Sequence, residues 1–376
     1  MKQYFLSSSR TTVIATGVLT LLIAVRGKAQ EGAAVTCGEF VRCGAPTHEH
    51  AAAGRGLTCL RRFGDKIYIG YGNWDRNTGP VGVLCYCLKR ELFERGPMLA
   101  TEAIDQMRVM AGNLYVLEVD STSWIVGSSH VHAFDGKNWR KTRIPYAQHI
   151  FDMTEHCGRL YVAYQHMARQ QVGRHRVCVI DPERGFQADS FGQPESGRFT
   201  RMVTIGDRMV VFPVRSPASI FDGEVWADME KDGRVGSVVT AAEAGERLCL
   251  IVCNAGKYHG IRGGATLWAM TEACVEVRKI DPPPGSVVDV KYYNGQFYVL
   301  SRSQDLCGAI GCRDREWRAS IHATVDGEVW TDVAKACLDA RPLSLELGSN
   351  RCFVGLDNGE LWARSYLAPW PEAEHR

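Results

Sequence analysis

Hydrophobic pairs and triples, most of them carrying an aromatic residue or a valine, recur seven times along the chain, each two or three residues behind a glycine. Three copies show the phrase: Gly112-Asn113-Leu114-Tyr115-Val116, Gly158-Arg159-Leu160-Tyr161-Val162 and Gly295-Gln296-Phe297-Tyr298-Val299. The glycines of the full set are Gly64, Gly112, Gly158, Gly206, Gly245, Gly295 and Gly348, a repeat of about 47 residues. Glycine reaches positive φ without a Cβ clash and closes a tight turn. The β-branched and aromatic run behind it suits a strand buried on both faces. Apolar segments precede the copies, among them Ile104 to Met110, Ile150 to Met153, Val238 to Ala242 and Val287 to Tyr293. These are the partner strands, innermost in each unit.

A second element completes the unit. Phe134-Asp135-Gly136-Lys137-Asn138-Trp139, Phe221-Asp222-Gly223-Glu224-Val225-Trp226 and Val325-Asp326-Gly327-Glu328-Val329-Trp330 place Asp-Gly between apolar positions, a strong hairpin signal, with a tryptophan placed to pack between neighbouring units. The unit therefore reads strand, glycine turn, strand, longer loop, strand, Asp-Gly turn, strand. Seven such units predict an all-β, seven-bladed β-propeller of four-stranded antiparallel blades. The last unit shows three plain strands. Its fourth comes either from Pro369-Trp370 or from the segment around Val35 to Arg42, which would lock the ring.

The architecture resembles the kelch-like and sialidase-like propellers of secreted bacterial proteins, over most of the chain. Sialidase-type Asp boxes read Ser-x-Asp-x-Gly-x-x-Trp at an outer hairpin, where the three Asp-Gly-x-x-Trp copies stand. The copies lack the residue between Asp and Gly, and only Ser219 fills the serine position. Asp357-Asn358-Gly359-Glu360-Leu361-Trp362 has the box spacing but falls in an earlier turn of its blade. Arg143-Ile144-Pro145 is similar to a sialidase motif, yet follows an outer-strand tryptophan where the family motif precedes the boxes.

Lys2 and Arg10 precede an apolar stretch from Thr11 to Val25, and small residues end the segment before Gln30. That is the pattern of a signal peptide over residues 1–29, too short to span a bilayer comfortably. The expected organisation is then an amino-terminal extension over 30–56 and the propeller over 57–370, in a secreted or periplasmic protein free of the membrane once the leader is cleaved. A net charge of +2 gives no reason to expect nucleic acid as a partner. All 14 cysteines follow the leader, and an even count in an exported chain favours disulfides. Cys37 with Cys43, and Cys307 with Cys312, are close enough to pair. Most of the others fall on strands, and no Cys-x-x-Cys suggests a metal or redox centre.

Long loops on a rigid scaffold are where binding groups concentrate. The longest here are Gly70 to Val81, Glu118 to His130, Tyr164 to Arg176, Asn254 to Gly264 and Ser301 to Ser320. They and the strand entrances are rich in arginine, including Arg76, Arg198, Arg201, Arg262 and Arg302, and a guanidinium fork matches carboxylate or phosphate. Tyr71, Trp74 and Asp75 join them, and an aromatic face beside polar groups suits a sugar ring. Asp105, Asp152 and Asp289 sit on inner strands, as candidate acids for a glycoside hydrolase, as ligands of channel water or as caps on the neighbouring blade. His48-x-His50 and His130-x-His132 each offer half a metal site. The sequence thus predicts an exported propeller that binds a glycan or other anionic ligand without a cofactor. The ligand residues expected are Tyr71, Trp74, Asp75, Arg76, Asp152, Arg198, Arg201, Arg262, Asp289 and Arg302. A sialidase-like hydrolase or lyase, and a protein-docking scaffold, are the alternatives.

Overall fold

The strands follow the repeat. The structure is a computed structural model, and the residues it describes are 39–122, 129–167, 174–181, 184–187, 199–213, 218–229, 237–244, 248–254, 265–271, 277–304, 316–348 and 350–365. Strand β1 (Val41–Gly44) comes first. Blade one is β2 (Cys59–Phe63), β3 (Lys66–Gly70), β4 (Val81–Cys87) and β5 (Leu92–Leu99); blade two is β6 (Met107–Met110), β7 (Asn113–Leu117), β8 (His130–Phe134) and β9 (Trp139–Arg143). Blade three is β10 (Ala147–His156), β11 (Arg159–His166), β12 (Arg174–Asp181) and β13 (Gly185–Gln187); blade four is β14 (Phe199–Ile205), β15 (Arg208–Pro213), β16 (Ser219–Phe221) and β17 (Trp226–Asp228). Blade five is β18 (Ser237–Ala244), β19 (Leu248–Asn254), β20 (Ala265–Thr271) and β21 (Val277–Ile280); blade six is β22 (Ser286–Tyr293), β23 (Gln296–Gln304), β24 (Trp317–Thr324) and β25 (Thr331–Leu338). Blade seven holds β26 (Pro342–Gly348), β27 (Arg351–Leu356) and β28 (Leu361–Ser365).

Seven four-stranded antiparallel sheets result, and the fourth strand of the last is β1, in the order β1-β28-β27-β26. Val41 pairs with Ala363 and Arg42 with Trp362. The ring is therefore closed by the amino-terminal side of the chain, the second of the two sources read from the sequence. Arg42 adds an ion pair with Glu360 at 2.7 Å.

The glycine turns take two forms. In Ala111-Gly112, Cys157-Gly158 and Asn294-Gly295 both residues have positive φ, the backbone of a type I′ hairpin whose twist matches its strands. In blades one and four the glycine leads instead, as Gly64 and Gly206. Gly348 departs from the expectation: it ends β26, paired with Arg351, outside the positive-φ set, while Gly245 lies outside the described residues. The three Asp-Gly turns are alike. Oδ1 of Asp135, Asp222 and Asp326 each accepts two backbone N–H groups just ahead of it, an Asx turn at each outer hairpin. Behind two of them the tryptophan stacks on the residue before the aspartate, Trp139 on Phe134 at 4.7 Å and Trp226 on Phe221 at 4.9 Å.

The second strand of blade two is its driest. Leu114, Val116 and Leu117 are wholly buried and Tyr115 nearly so, each such side chain stabilising by about 1.5–3 kcal/mol. The apolar clusters lie between consecutive blades, as where Leu114 and Val116 of blade two join the blade-one strands. The ring as a whole is the hydrophobic core. All of this belongs to one compact unit, Cys37–Arg376.

The ten described cysteines stand outside any disulfide, seven of them buried. Cys43 is among the ten, and burial raises its pKa. Its expected partner Cys37 lies outside the described residues, as do Cys307 and Cys312.

Candidate functional site

The inner strands enclose a channel, and a repeated irregularity shapes its loop-side end. In blades three to seven the pairing of the first strand slips at one equivalent place, between Ile150 and Asp152, Phe199 and Arg201, Val238 and Thr240, Val287 and Asp289, and Pro342 and Ser344, and blade three slips a second time between Ala147 and Ile150. A bulge leaves one residue unpaired and re-aims it. The unpaired residues Phe151, Val239, Val288 and Leu343 line a funnel of about 560 Å³, joined at the same level by Thr58 of blade one and Asp105 of blade two. Thr200, the corresponding residue of blade four, is described only as backbone.

The residue after each bulge forms a belt. Oδ2 of Asp152 accepts the amide of Met202 in blade four at 2.9 Å, and Oδ2 of Asp289 accepts the amide of Leu345 in blade seven at 2.9 Å. Nε of Arg201 donates to the Val239 carbonyl at 2.7 Å, Oγ1 of Thr240 to Asp289 at 3.0 Å, and Oγ of Ser344 to the Leu57 carbonyl at 2.6 Å. At the same position Gln106 donates to Asp152 at 3.3 Å, and the Cys59 thiol lies against the Met107 amide. Every blade thus reaches the next with one side chain. Both aspartates have cationic neighbours as well: Arg108 grips Asp152, and Lys291 lies 3.2 Å from Asp289. Burial alone would raise the Asp152 pKa, but the Arg108 charge and its hydrogen bonds outweigh it and hold the carboxyl below its usual range.

The funnel wall carries a ladder of aromatic rings. Trp74 meets His149 at 5.5 Å, His149 meets Phe151 at 5.9 Å, and Phe151 stacks on His175 at 4.7 Å with planes 8° apart. Trp74 and Phe151 open onto the funnel. Trp74 starts a one-turn 3-10 helix, Trp74–Arg76, capped by the Asn73 side chain, which also donates to the Ala53 carbonyl at 3.1 Å. The amino-terminal extension therefore holds the first loop in place, and its Ala52, Ala53 and Gly56 line the funnel themselves. On another side Arg341 pairs with Asp357 at 3.2 Å.

Of the residues singled out in the sequence, Trp74, Arg201 and Asp289 come together on the funnel. Tyr71 is buried, its hydroxyl accepting the Gly82 amide at 2.9 Å. Asp75 and Arg76 are exposed on the short helix, beside the funnel lining. Asp152 is wholly buried in the belt. Arg302, read as a loop residue, instead lies in β23 opposite Ala319, donates to the Pro342 carbonyl at 2.7 Å and sits over the Trp317 ring. Burial, with Arg341 nearby, pushes its pKa down to about 10. Arg198 and Arg262 lie outside the described residues. His149, Phe151, His175 and Arg341 escaped the sequence reading. The spacing of His149 and Phe151 on one strand was the available signal, hidden because the reading favoured loops.

The histidine pairs find other employment. His130 Nδ1 and His132 Nε2 both bind the buried Glu118 carboxylate, at 3.0 and 2.8 Å. Burial raises the Glu118 pKa, and these bonds outweigh that and lower it. His48 Nδ1 meets the Ala45 carbonyl, and His50 packs edge-on to Tyr71. Among the described residues no three His, Cys, Asp or Glu side chains are grouped to hold a metal ion.

Comparison with models of protein families gives no match, and comparison with curated proteins gives none either. Solved structures do match. The WD40 domain of Neurospora crassa Pan2 superposes with a TM-score of 0.62 at 10% identity, over 89% of this chain and 95% of that one. A catalytically inactive variant of virginiamycin B lyase from Staphylococcus aureus, with quinupristin, gives 0.56 at 10% identity over 87% and 99%. The WD40 β-propeller domain of Doa1 gives 0.52 at 10% identity over 87% and 97%. At such identities the likeness carries the fold, a β-propeller, and singles out neither the kelch-like nor the sialidase-like group.

Proposed function

We propose that the chain is a binding propeller whose loop-side funnel takes a small ligand with an apolar ring face and anionic or hydroxyl groups, a glycan unit being the class that fits best. The aromatic ladder carries this reading: Trp74 and Phe151 line a cavity of about 560 Å³ together with Arg201, Arg341 and Asp105. A volume of that size suits a small molecule, and the C–H face of a sugar stacks on an aromatic while its hydroxyls meet polar side chains. The lyase similar in fold, solved with quinupristin, is a propeller solved with a small molecule. Export, from the leader pattern ahead of Gln30, is the setting this reading assumes.

The hydrolase alternative is less well supported. Asp152 and Asp289 are engaged as ties between blades, which takes two of the three aspartates expected on inner strands out of an acid–base pair. A docking scaffold is the second reading. The WD40 likenesses favour it, together with Val225, Val325 and Val329, which stand 61%, 64% and 73% exposed on two outer Asp-Gly turns.

A glycan array with sialylated, sulfated and neutral members tests the first reading. Binding that Trp74→Ala and Phe151→Ala reduce at least about tenfold supports it. An array without hits sinks it. Hits that survive both substitutions move recognition off the funnel, toward the outer turns.

A further inference from the structure

Beyond the funnel the channel continues toward the inner turns, where a second cavity of about 230 Å³ opens. Arg61 and Lys291 line both spaces and form the waist between them. Equivalent positions of the inner strands supply the walls: Arg61 in blade one, Arg108 in blade two, Lys291 in blade six and Glu346 in blade seven. Val109 and Tyr292 line the cavity and are 42% and 40% exposed, so a small solute has a way in.

Two of the cations are already answered. Arg108 is held by Asp152 and Lys291 by Asp289. The neighbouring pair is not. Arg61 and Glu346 stand on adjacent blades with opposite charges, yet no ion pair joins them. Among the described residues, Nε of Arg61 is buried without a hydrogen-bond partner, and so is Oε2 of Glu346. Glu346 is only 7% exposed, and its other oxygen accepts the Leu347 amide at 2.9 Å. Both residues line the cavity. Buried polar atoms left without a partner in a native structure mark a place for water, an ion or a guest.

The remaining groups narrow the guest. Glu243 also lines the cavity, and burial raises its pKa, so its demand for a cation is reduced. Glu155 adds a second acceptor from blade three. A simple anion would satisfy Arg61 but lie against Glu346, and a simple cation would do the reverse. A molecule carrying both charges a few bonds apart meets the two demands together. The volume limits it to a handful of heavy atoms, below the usual range for drug-sized ligands.

We infer that this cavity is a binding site for a small zwitterion of the amino-acid type, its carboxylate toward Arg61 and its ammonium toward Glu346. The site is distinct from the funnel and independent of what the funnel binds.

Titration calorimetry on the full chain with glycine, alanine and β-alanine, and with acetate and methylammonium as single-charge controls, tests the assignment. At least one zwitterion binds, while either control binds about tenfold more weakly or worse. Arg61→Met and Glu346→Gln each lower zwitterion affinity at least about tenfold, and Trp74→Ala leaves it unchanged. Arg61 is only half-buried, so the ligand-free Arg61→Met variant melts close to the wild-type temperature, which separates a lost site from a lost fold. Failure of all three zwitterions to bind overturns the inference. So does wild-type affinity in the two variants, or acetate binding as tightly as alanine.

Discussion

Arg108 of blade two and Asp152 of blade three are joined by two hydrogen bonds, Nε to Oδ1 at 2.9 Å and Nη2 to Oδ2 at 2.6 Å, and the same guanidinium donates to the Met202 carbonyl of blade four. One ion pair thus fastens three consecutive blades. Asp289 plays the matching part for blades five to seven, through Thr240 and Leu345.

Asp152→Asn leaves Arg108 buried without its counter-ion and should cost about 3 kcal/mol or more, read from urea unfolding. Adding Arg108→Met should return part of that loss. The pH dependence has a defined sign. Because the folded-state pKa of Asp152 is lowered, its contribution is complete above the unfolded-state value of about 3.9 and disappears as the pH falls through the folded value. The wild type should lose stability on acidification below about pH 4 more steeply than the double variant. Equal slopes would remove the clamp from the account.

Glu118 offers a second test at a different seam. It accepts from the His130 amide as well as from both imidazoles. Glu118→Gln should destabilise by about 1–3 kcal/mol. Thermal melts at pH 7 should show it, with blade two losing amide protection ahead of the others in hydrogen exchange.

Two glycines separate backbone strain from crowding. At Gly158 φ is +70° and an added Cβ would meet nothing within 4 Å, so Gly158→Ala should cost only the conformational penalty, about 1–2 kcal/mol. At Gly72 φ is +104° and a Cβ would fall 2.5 Å from the Glu102 carbonyl oxygen, at the junction of blades one and two. Gly72→Ala should cost about twice as much or more. Equal midpoints in denaturant would show that this junction is loose.

What was legible in the sequence was local. A glycine turn and an Asp-Gly-x-x-Trp hairpin each state their geometry within six residues, so the blades could be counted and the outer turns placed. Where the signal is one residue of register, the pattern fell silent. Phe151, Val239 and Leu343 read as ordinary strand residues, because a bulge is a property of two paired strands and is invisible in either alone. The Arg108–Asp152 pair is 44 residues apart, so a role for Asp152 toward the neighbouring blade was open in the sequence while its partner Arg108 was not visible. Gly348 misled for the opposite reason: the phrase recurs in the last blade, but its glycine ends β26, paired with Arg351. For the closing strand the sequence held two sources, and only the pairing of Val41 with Ala363 decides between them.

That closure predicts its own failure. Removing the chain through Gly44 strips β28 of its outer partner, and hydrogen exchange at Leu361 and Ala363 should accelerate while the amides of β11 and β15 keep their protection. Arg42→Ala removes only a half-exposed ion pair and should cost less than about 1 kcal/mol. Uniform acceleration across all blades would mean that the ring opens as one body.

The most direct measurement is calorimetric titration of whichever glycan the array selects against four forms of the chain: wild type, Trp74→Ala, Phe151→Ala and Arg76→Ala. Trp74 and Phe151 face the funnel, and Arg76 is exposed beside it. The first two substitutions should weaken binding at least about tenfold, and Arg76→Ala should leave it within about twofold. Wild-type affinity in the Trp74 and Phe151 variants, or a loss confined to Arg76→Ala, would contradict a ligand seated in the funnel.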